Sequence, residues 1–234
     1  MGEAGHVGLI TYMRTDSTNV APEAQQESRN CVMERFGKEY LPEKPPVYRS
    51  RRGAQEAHEA IRPASVMRSP EDMKKWLSHD QIRLYDLIWK RFLASQMSPL
   101  ILDGVTIDIN VGSCIFRATG STVKFPGFSR LYTEGADDSV DEEARRTLPA
   151  MKPGERLDCK GITPKQHFTQ APPRYTEATL IKTLEEKGIG RPSTYAPIIY
   201  TIQERGYVEQ EEKRFRPTEL GILVTDLLVQ YFPA

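Results

Sequence analysis

Residues 8–18 read Gly-Leu-Ile-Thr-Tyr-Met-Arg-Thr-Asp-Ser-Thr, and this stretch is the most informative in the chain. A mostly apolar run leads to one tyrosine, and arginine, aspartate and hydroxyl side chains follow almost immediately. Because side chains alternate between faces in an extended segment, Tyr12, Arg14 and Asp16 are predicted to point the same way. The segment would then present a phenol, a cation and a carboxylate on one face.

A phenol beside a guanidinium is suited to attack on a phosphodiester. The Tyr12 hydroxyl has a reference pKa of ~10, so it is a poor nucleophile at neutral pH without help. The charge of Arg14 would favour the phenolate and would stabilise the extra negative charge of a phosphoryl transition state. Ester exchange onto tyrosine would conserve the phosphate bond energy, so resealing would need no ATP. A surface tyrosine beside an ordinary ion pair is the alternative interpretation of the same residues.

The composition limits the possible partners. The 234 residues include 32 Lys and Arg and 32 Asp and Glu, so the formal net charge of +0 does not indicate a polyanion partner. Nucleic-acid contact must therefore come from local basic patches, of which residues 48–53 are the best short example or else a solvated loop. Cys31, Cys114 and Cys159 form no Cys-x-x-Cys pair, so no metal site is predicted. The absence of a long apolar run or a leader pattern predicts a cytoplasmic chain without a membrane partner.

The first predicted region, residues 1–98, is mostly helical. Apolar periodicity predicts helices over residues 24–36 and 80–96, and Ser69 followed by Pro70 predicts another helix start. Residues 54–62 are good helix formers ended by Pro63, which would place His58 and Arg62 one turn apart on the same face. The predicted core residues of the 80–96 helix are Ile82, Leu84, Tyr85, Ile88 and Phe92.

The middle region, residues 99–167, changes to the period of a β-strand. Val105, Ile107, Ile109 and Val111 alternate with polar residues, which predicts a half-buried strand. Residues 115–118 and 122–125 flank a Gly-Ser pair, which predicts a hairpin. Residues 156–160 predict one more strand. The acidic stretch 135–146 argues against this region as the main nucleic-acid contact.

The last region, residues 168–234, combines two helices with a hairpin. Thr176 is predicted to cap a helix to residue 187, and Ser193 is predicted to cap a second helix to residue 205. A hairpin follows within residues 207–216. Helix, turn, helix and hairpin form a winged-helix order, which serves both nucleic-acid and protein contacts.

The start of the second predicted helix in this region is a candidate phosphate site. Free backbone N–H groups at a helix start favour an anion, so Gly190, Arg191, Ser193 and Thr194 are candidate contacts. Arg174 and Lys182 would extend this row of phosphate contacts. Tyr195 either stacks on a base, which contributes ~1–3 kcal/mol per base, or packs internally.

Three segments of the sequence resemble motifs of the type IA DNA topoisomerases, in that family's order. Residues 10–17 resemble its active-site tyrosine signature, residues 56–63 its second catalytic motif, and residues 188–195 its single-strand-binding motif. The matches extend over nearly the whole chain. Met13 and the sequence Arg-Pro-Ser-Thr-Tyr at residues 191–195 are more similar to the bacterial topoisomerase I branch than to the topoisomerase III branch.

The resemblance implies a role for each matched residue. Tyr12 would be the nucleophile that cuts one DNA strand, and Arg14 would position the phosphate and stabilise transition-state charge. His58, as a further catalytic residue, and Arg62 would lie near the scissile phosphate. Single-stranded DNA would be bound by residues of the last region: Arg174, Lys182, Arg191, Ser193, Thr194 and Tyr195.

The resemblance also implies an α+β, multi-domain fold. Residues 1–98 would form a helical, winged-helix-like catalytic tyrosine domain. Residues 99–167 would form an incomplete β-rich arch segment, and residues 168–234 an incomplete winged-helix-like segment that binds single-stranded DNA.

The implied activity is cleavage of one strand through a transient phosphotyrosine link, strand passage and resealing. This relaxes negative supercoils without ATP, on single-stranded and negatively supercoiled DNA at the nucleoid. Family members hold Mg²⁺ in an acidic nucleotidyl domain, which is expected outside this chain. The chain is therefore expected to be a central fragment that binds no Mg²⁺ and is inactive in full relaxation. The alternative is a non-catalytic winged-helix module that binds single-stranded nucleic acid or a partner protein.

Overall fold

The computed structural model describes residues 7–13, 15, 17–48, 58–133 and 148–232. Helices are combined with small antiparallel sheets, as predicted for an α+β chain. The chain divides into two compact units, Met1–Arg156 and Leu157–Ala234. The division into three regions at residues 98 and 167 stays a prediction.

Helices in the described part of the first unit begin and end where local chemistry predicts. The Ser69 hydroxyl accepts from the Asp72 N–H at 3.3 Å, and Ser78 forms a capping box with Gln81. Gly37, with φ of 100°, ends the first helix. The helices are α1 (Pro22–Phe36), α2 (Pro70–Met73) and α3 (His79–Ser95).

The buried face of α3 differs from the predicted one. Tyr85 and Phe92 are buried as expected, but Leu84 is 55% exposed. Trp89 and Leu93 are buried instead, which completes a stripe at i, i+4, i+7 and i+8. Apolar side chains lie on most faces of this helix, so periodicity alone did not determine which face is buried. Ile82 is partly buried against the core and Ile88 is half-buried.

Two helices hold the segment that follows Pro63. On the α3 side, the Trp89 indole N–H donates to the Val66 carbonyl at 2.9 Å. On the α1 side, the Glu27 carboxylate accepts from the Ser65 hydroxyl at 2.5 Å and from the Val66 N–H at 3.0 Å. Because these contacts fix residues 65–66 in the core, they also anchor residues 58–64 immediately before them.

A long ribbon replaces the predicted short hairpin. Strand β1 (Ile101–Val111) pairs antiparallel with β2 (Cys114–Phe125), and the chain reverses at Gly112, where φ is 60°. The predicted reversal at residues 120–121 is wrong, because Gly120 lies inside β2 opposite Val105. The Gly-Ser pair at residues 120–121 stays extended because β1 provides a partner along the whole length of β2. On β1, Ile107 and Ile109 are half-buried, but Val105 and Val111 are exposed, unlike in the predicted pattern.

Two other predictions for the middle region have different outcomes. Residues 156–160 are exposed and irregular, so the predicted strand is wrong. Alternating polarity does not form a strand when no neighbouring strand pairs with it. The acidic stretch 135–146 lies outside the described residues.

The second unit follows the predicted order of helix, turn, helix and hairpin. Thr176 caps its first helix through a capping box with Thr179, as predicted. Ser193 does not cap the second helix: Arg191 occupies the cap position, because Pro192 already has the fixed φ that suits a first helical residue. The elements are α4 (Glu177–Glu186), α5 (Pro192–Glu204), β3 (Val208–Glu211), β4 (Arg214–Pro217) and α6 (Glu219–Tyr231).

Among the described residues, none of the helices is both long enough and apolar enough to cross a bilayer.

Candidate active site and nucleic-acid interface

The tyrosine-bearing segment pairs with residues 58–64. Ile10 and Pro63 form an antiparallel bridge, and the Thr11 N–H donates to the Arg62 carbonyl at 2.9 Å. The predicted helix is wrong where it can be examined, since residues 58–62 are not helical and 54–57 lie outside the described residues. Their backbone groups bond across to the tyrosine segment, so tertiary pairing overrides local helix propensity.

One residue closes the loop that carries Tyr12. The Ala60 carbonyl accepts from the Thr11 hydroxyl at 2.8 Å, and the Ala60 N–H donates to the Asn19 carbonyl at 2.8 Å. The residues on either side of segment 12–18 are therefore both bonded to Ala60. The sequence analysis missed this role of Ala60, because a backbone contact leaves no side-chain signal.

Tyr12 itself is open to solvent. Its side chain is 77% exposed, so the phenol can be reached by a substrate without a rearrangement of the core. Arg14 and Asp16 lie outside the described residues, and their sharing of a face with Tyr12 stays a prediction. The same holds for residues 49–53 of the basic patch.

His58 lies at the base of the loop. Its carbonyl accepts from the Ser17 hydroxyl at 2.5 Å, and Ser17 is 6% exposed. The ring is half-buried, and its Nδ1 atom is buried with no hydrogen-bond partner in the described part of the chain. An unpaired buried polar atom costs free energy, so this nitrogen is an unusual feature at the base of the loop.

Arg62 is engaged by Glu59. The guanidinium forms two bonds to the carboxylate, from Nε to Oε1 at 2.7 Å and from Nη2 to Oε2 at 3.1 Å. A third donor, Nη1, bonds the Pro63 carbonyl at 2.9 Å. Only 12% of the Arg62 side chain is exposed. The predicted contact of Arg62 with DNA therefore competes with an internal partner, the Glu59 carboxylate.

Glu59 also connects to helix α1. Its Oε1 atom accepts from the N–H of Ala21, the residue that precedes the helix, at 2.9 Å. Burial raises the pKa of the Glu59 carboxyl, but the bonds from Arg62 and Ala21 and the Arg62 charge outweigh burial and lower this pKa below 4.5. Glu59 and Arg62 are three residues apart, a spacing that indicates a pair on a helix, but here the pair forms on a non-helical segment.

In the second unit, a tight turn leads into α5. Gly190 has φ of 79°, and a Cβ there would lie 3.2 Å from the Tyr195 ring, so glycine is needed at this position. The Arg191 N–H donates to the Thr194 hydroxyl at 2.8 Å, and the Arg191 guanidinium donates to the Gly190 carbonyl at 2.7 Å. This turn brings the predicted phosphate contacts Gly190, Arg191, Ser193 and Thr194 to one helix start.

The predicted DNA contacts of this unit differ in their exposure to solvent. Arg174, Lys182, Arg191, Ser193 and Thr194 are exposed. Tyr195 is 9% exposed, so the packing alternative describes its ring in this structure.

Comparison with known proteins identifies the family of this chain. A family model described as DNA topoisomerase matches residues 5–234. The chain belongs to the type IA DNA topoisomerase family. It also resembles the solved structure of full-length topoisomerase I from Thermotoga maritima, with a TM-score of 0.77 and 36% sequence identity. The match covers 98% of this chain and 36% of that one.

Type IA topoisomerases generally depend on Mg²⁺. Within the described ranges, no group of three or more His, Cys, Asp and Glu side chains is arranged to hold a metal ion. The described residues therefore do not fit a Mg²⁺ site.

The Glu59 contacts predict an acid-sensitive stability in this topoisomerase chain. Because the folded pKa of Glu59 is lowered, its contacts stabilise the fold above its ordinary pKa of 4.5, and this stabilisation is lost as pH falls through the lowered value. Wild type should therefore lose more unfolding free energy than Glu59→Gln between pH ~7 and pH ~3. Urea unfolding at both pH values measures this difference, and an equal loss in the two proteins would contradict it.

Proposed function

We propose that this chain supplies the strand-cleaving tyrosine of a type IA topoisomerase. The Tyr12 oxygen would attack a DNA phosphodiester, form an O–P bond and displace a sugar oxygen, which leaves as a hydroxyl after gaining a proton. Attack by that hydroxyl would reverse the step and reseal the strand without ATP. The observation that supports this most is an exposed tyrosine, on a loop closed at its base beside His58, in a member of this family.

His58 and Arg14 would assist this exchange. The ring of His58, which is half-buried at the base of the loop, would bond a phosphate oxygen or carry a proton at the reacting group. Arg14 keeps its predicted role, in which its charge favours the phenolate and stabilises negative charge in the transition state. Mg²⁺ ligands would come from an acidic nucleotidyl domain outside residues 1–234, and these residues alone would not carry out full relaxation.

The second unit would bind the single strand. Its order of α4, turn, α5 and β3–β4 hairpin supports a winged-helix arrangement. The exposed side chains of Arg191, Ser193 and Thr194 at the start of α5 would contact phosphates, and Arg174 and Lys182 would extend this row of phosphate contacts. Passage of a strand through the break would relax negatively supercoiled DNA at the nucleoid.

A covalent capture experiment tests the proposal. The natural protein would be incubated with a labelled single-stranded oligonucleotide and then denatured, and the attached peptide would be identified by mass spectrometry. We expect a single attachment at Tyr12. Attachment to another residue would refute Tyr12 as the nucleophile, and strand binding without any adduct would favour the non-catalytic binding module.

Arg191 offers a separate test of strand binding. Arg191→Ala should remove one phosphate contact, so the slope of log K against log salt should become shallower by about 0.7. Arg205→Ala is the matched control, because Arg205 is an exposed arginine at the other end of the same helix. Fluorescence anisotropy with a labelled oligonucleotide at several salt concentrations measures both slopes. Equal slopes for wild type and Arg191→Ala would remove Arg191 from the interface.

A further inference from the structure

We propose that Glu59 and Arg62 form an internal brace that positions the Tyr12 loop against His58, so Arg62 is a positioning residue and not a phosphate ligand. The inference rests on the proposed function of Tyr12. It assigns Glu59 a role in strand cleavage and changes the role predicted for Arg62.

The donors of Arg62 are already directed inward. Nε and Nη2 bond the two carboxylate oxygens of Glu59, and Nη1 bonds the Pro63 carbonyl. Glu59 occupies the two-bond edge formed by Nε and Nη2, and only 12% of the side chain is exposed. A DNA phosphate could take this edge only by displacing Glu59, which would leave a partly buried carboxylate unpaired next to an added negative charge. Such a broken pair is strongly unfavourable, so the internal bond persists.

The brace is tied to the core on its other side. Glu59 accepts from the Ala21 N–H and so attaches residues 59–62 to the start of α1. One and a half turns along α1, Glu27 holds the Ser65 hydroxyl and the Val66 N–H. Two carboxylates therefore fix the segment that contacts the tyrosine loop, one from within the segment and one from the helix.

The same residues hold both ends of the loop. The backbone N–H and carbonyl of Arg62 bond the hydroxyl and the N–H of Thr11, next to Tyr12. The neighbours of Glu59 hold the other end, since His58 bonds Ser17 and Ala60 bonds Asn19. Loosening the brace would shift Tyr12 relative to His58, and a shift of about 1 Å can reduce a rate by about 10²-fold.

A mutant cycle in the natural protein tests the brace. Glu59→Gln, Arg62→Gln and the double variant should each slow oligonucleotide cleavage by about 10²-fold, with the double variant no slower than the singles. Arg62→Lys should also be slow, because an ammonium cannot form the two-bond fork. The dissociation constant of the oligonucleotide and its salt slope should stay at wild-type values throughout.

The opposite pattern would overturn the brace. If Arg62 bonds phosphate, Arg62→Gln should lower the salt slope by about 0.7 while Arg62→Lys keeps it, and Glu59→Gln should cleave at the wild-type rate. Asp86→Asn is the matched control, since Asp86 forms a half-buried ion pair with Lys90 at 2.7 Å on α3. It should change neither the rate nor the slope.

Hydrogen exchange gives a readout that needs no cleavage. The amides of Thr11 and Ala21 should exchange at least 10-fold faster in Glu59→Gln than in wild type, and unchanged exchange would contradict the brace. If Arg62→Gln does not fold, Glu59→Gln and Arg62→Lys decide the question. A wild-type protein that forms no Tyr12 adduct would refute the proposed function, whereas the exchange result would still decide whether the brace exists.

Discussion

Tyr12→Phe is expected to abolish the denaturant-stable protein–DNA adduct while folding and oligonucleotide binding persist. The substitution removes one oxygen, which is the atom that would form the bond to phosphorus. The side chain is 77% exposed, so the change in unfolding free energy should stay within about 0.5 kcal/mol. Loss of the adduct would then reflect lost chemistry and not lost structure.

The adduct is measured after denaturation, by the slower migration of labelled oligonucleotide attached to the protein. Tyr231→Phe is the matched control, because Tyr231 is 69% exposed in α6 and is also a tyrosine that loses only its oxygen. It should retain the wild-type yield of adduct. An adduct formed by Tyr12→Phe would refute the assignment of the nucleophile.

Trp89→Ala is expected to lower the free energy of unfolding by about 3–5 kcal/mol. The Trp89 side chain is 3% exposed, and the Arg35 guanidinium lies 5.2 Å from the centre of its ring. Truncation would leave a cavity and would remove the indole N–H that bonds the Val66 carbonyl. Since Val66 lies just beyond Pro63, the pairing of residues 58–64 with the tyrosine-bearing segment should weaken as well.

Urea unfolding with a common slope measures this loss. Leu84→Ala is the matched control on the same helix, and because Leu84 is 55% exposed, its substitution should cost about 0.5 kcal/mol or less. Similar losses for the two variants would show that α3 turns a different face to the core. The comparison therefore tests the orientation of the helix that supports the site.

Local chemistry explains the features that the sequence predicted well. Ser69 and Thr176 bond N–H groups within their own first helical turns, and α1 ends at Phe36, as predicted. These interactions span three or four residues, so they need no distant partner. The family resemblance succeeded for a similar reason, because the chemistry-bearing residues occur in short continuous motifs.

The incorrect predictions share a different cause. The Gly-Ser pair at residues 120–121 stays extended because β1 pairs along it, and residues 58–62 leave the helical state because the tyrosine segment accepts and supplies their hydrogen bonds. In each case, a partner distant in sequence outweighs a local preference of about 1 kcal/mol or less per residue.

By itself, the sequence indicated the family and most of the helix ends, and it predicted which side chains would react with a phosphodiester. Only the tertiary structure decided which side chains remain free to react: Tyr12 is exposed, while Arg62 is bound to Glu59. The Thr11–Ala60 bond that closes the loop joins residues 49 positions apart. Burial and hydrogen-bond partners depend on such distant contacts, and short sequence motifs do not encode them.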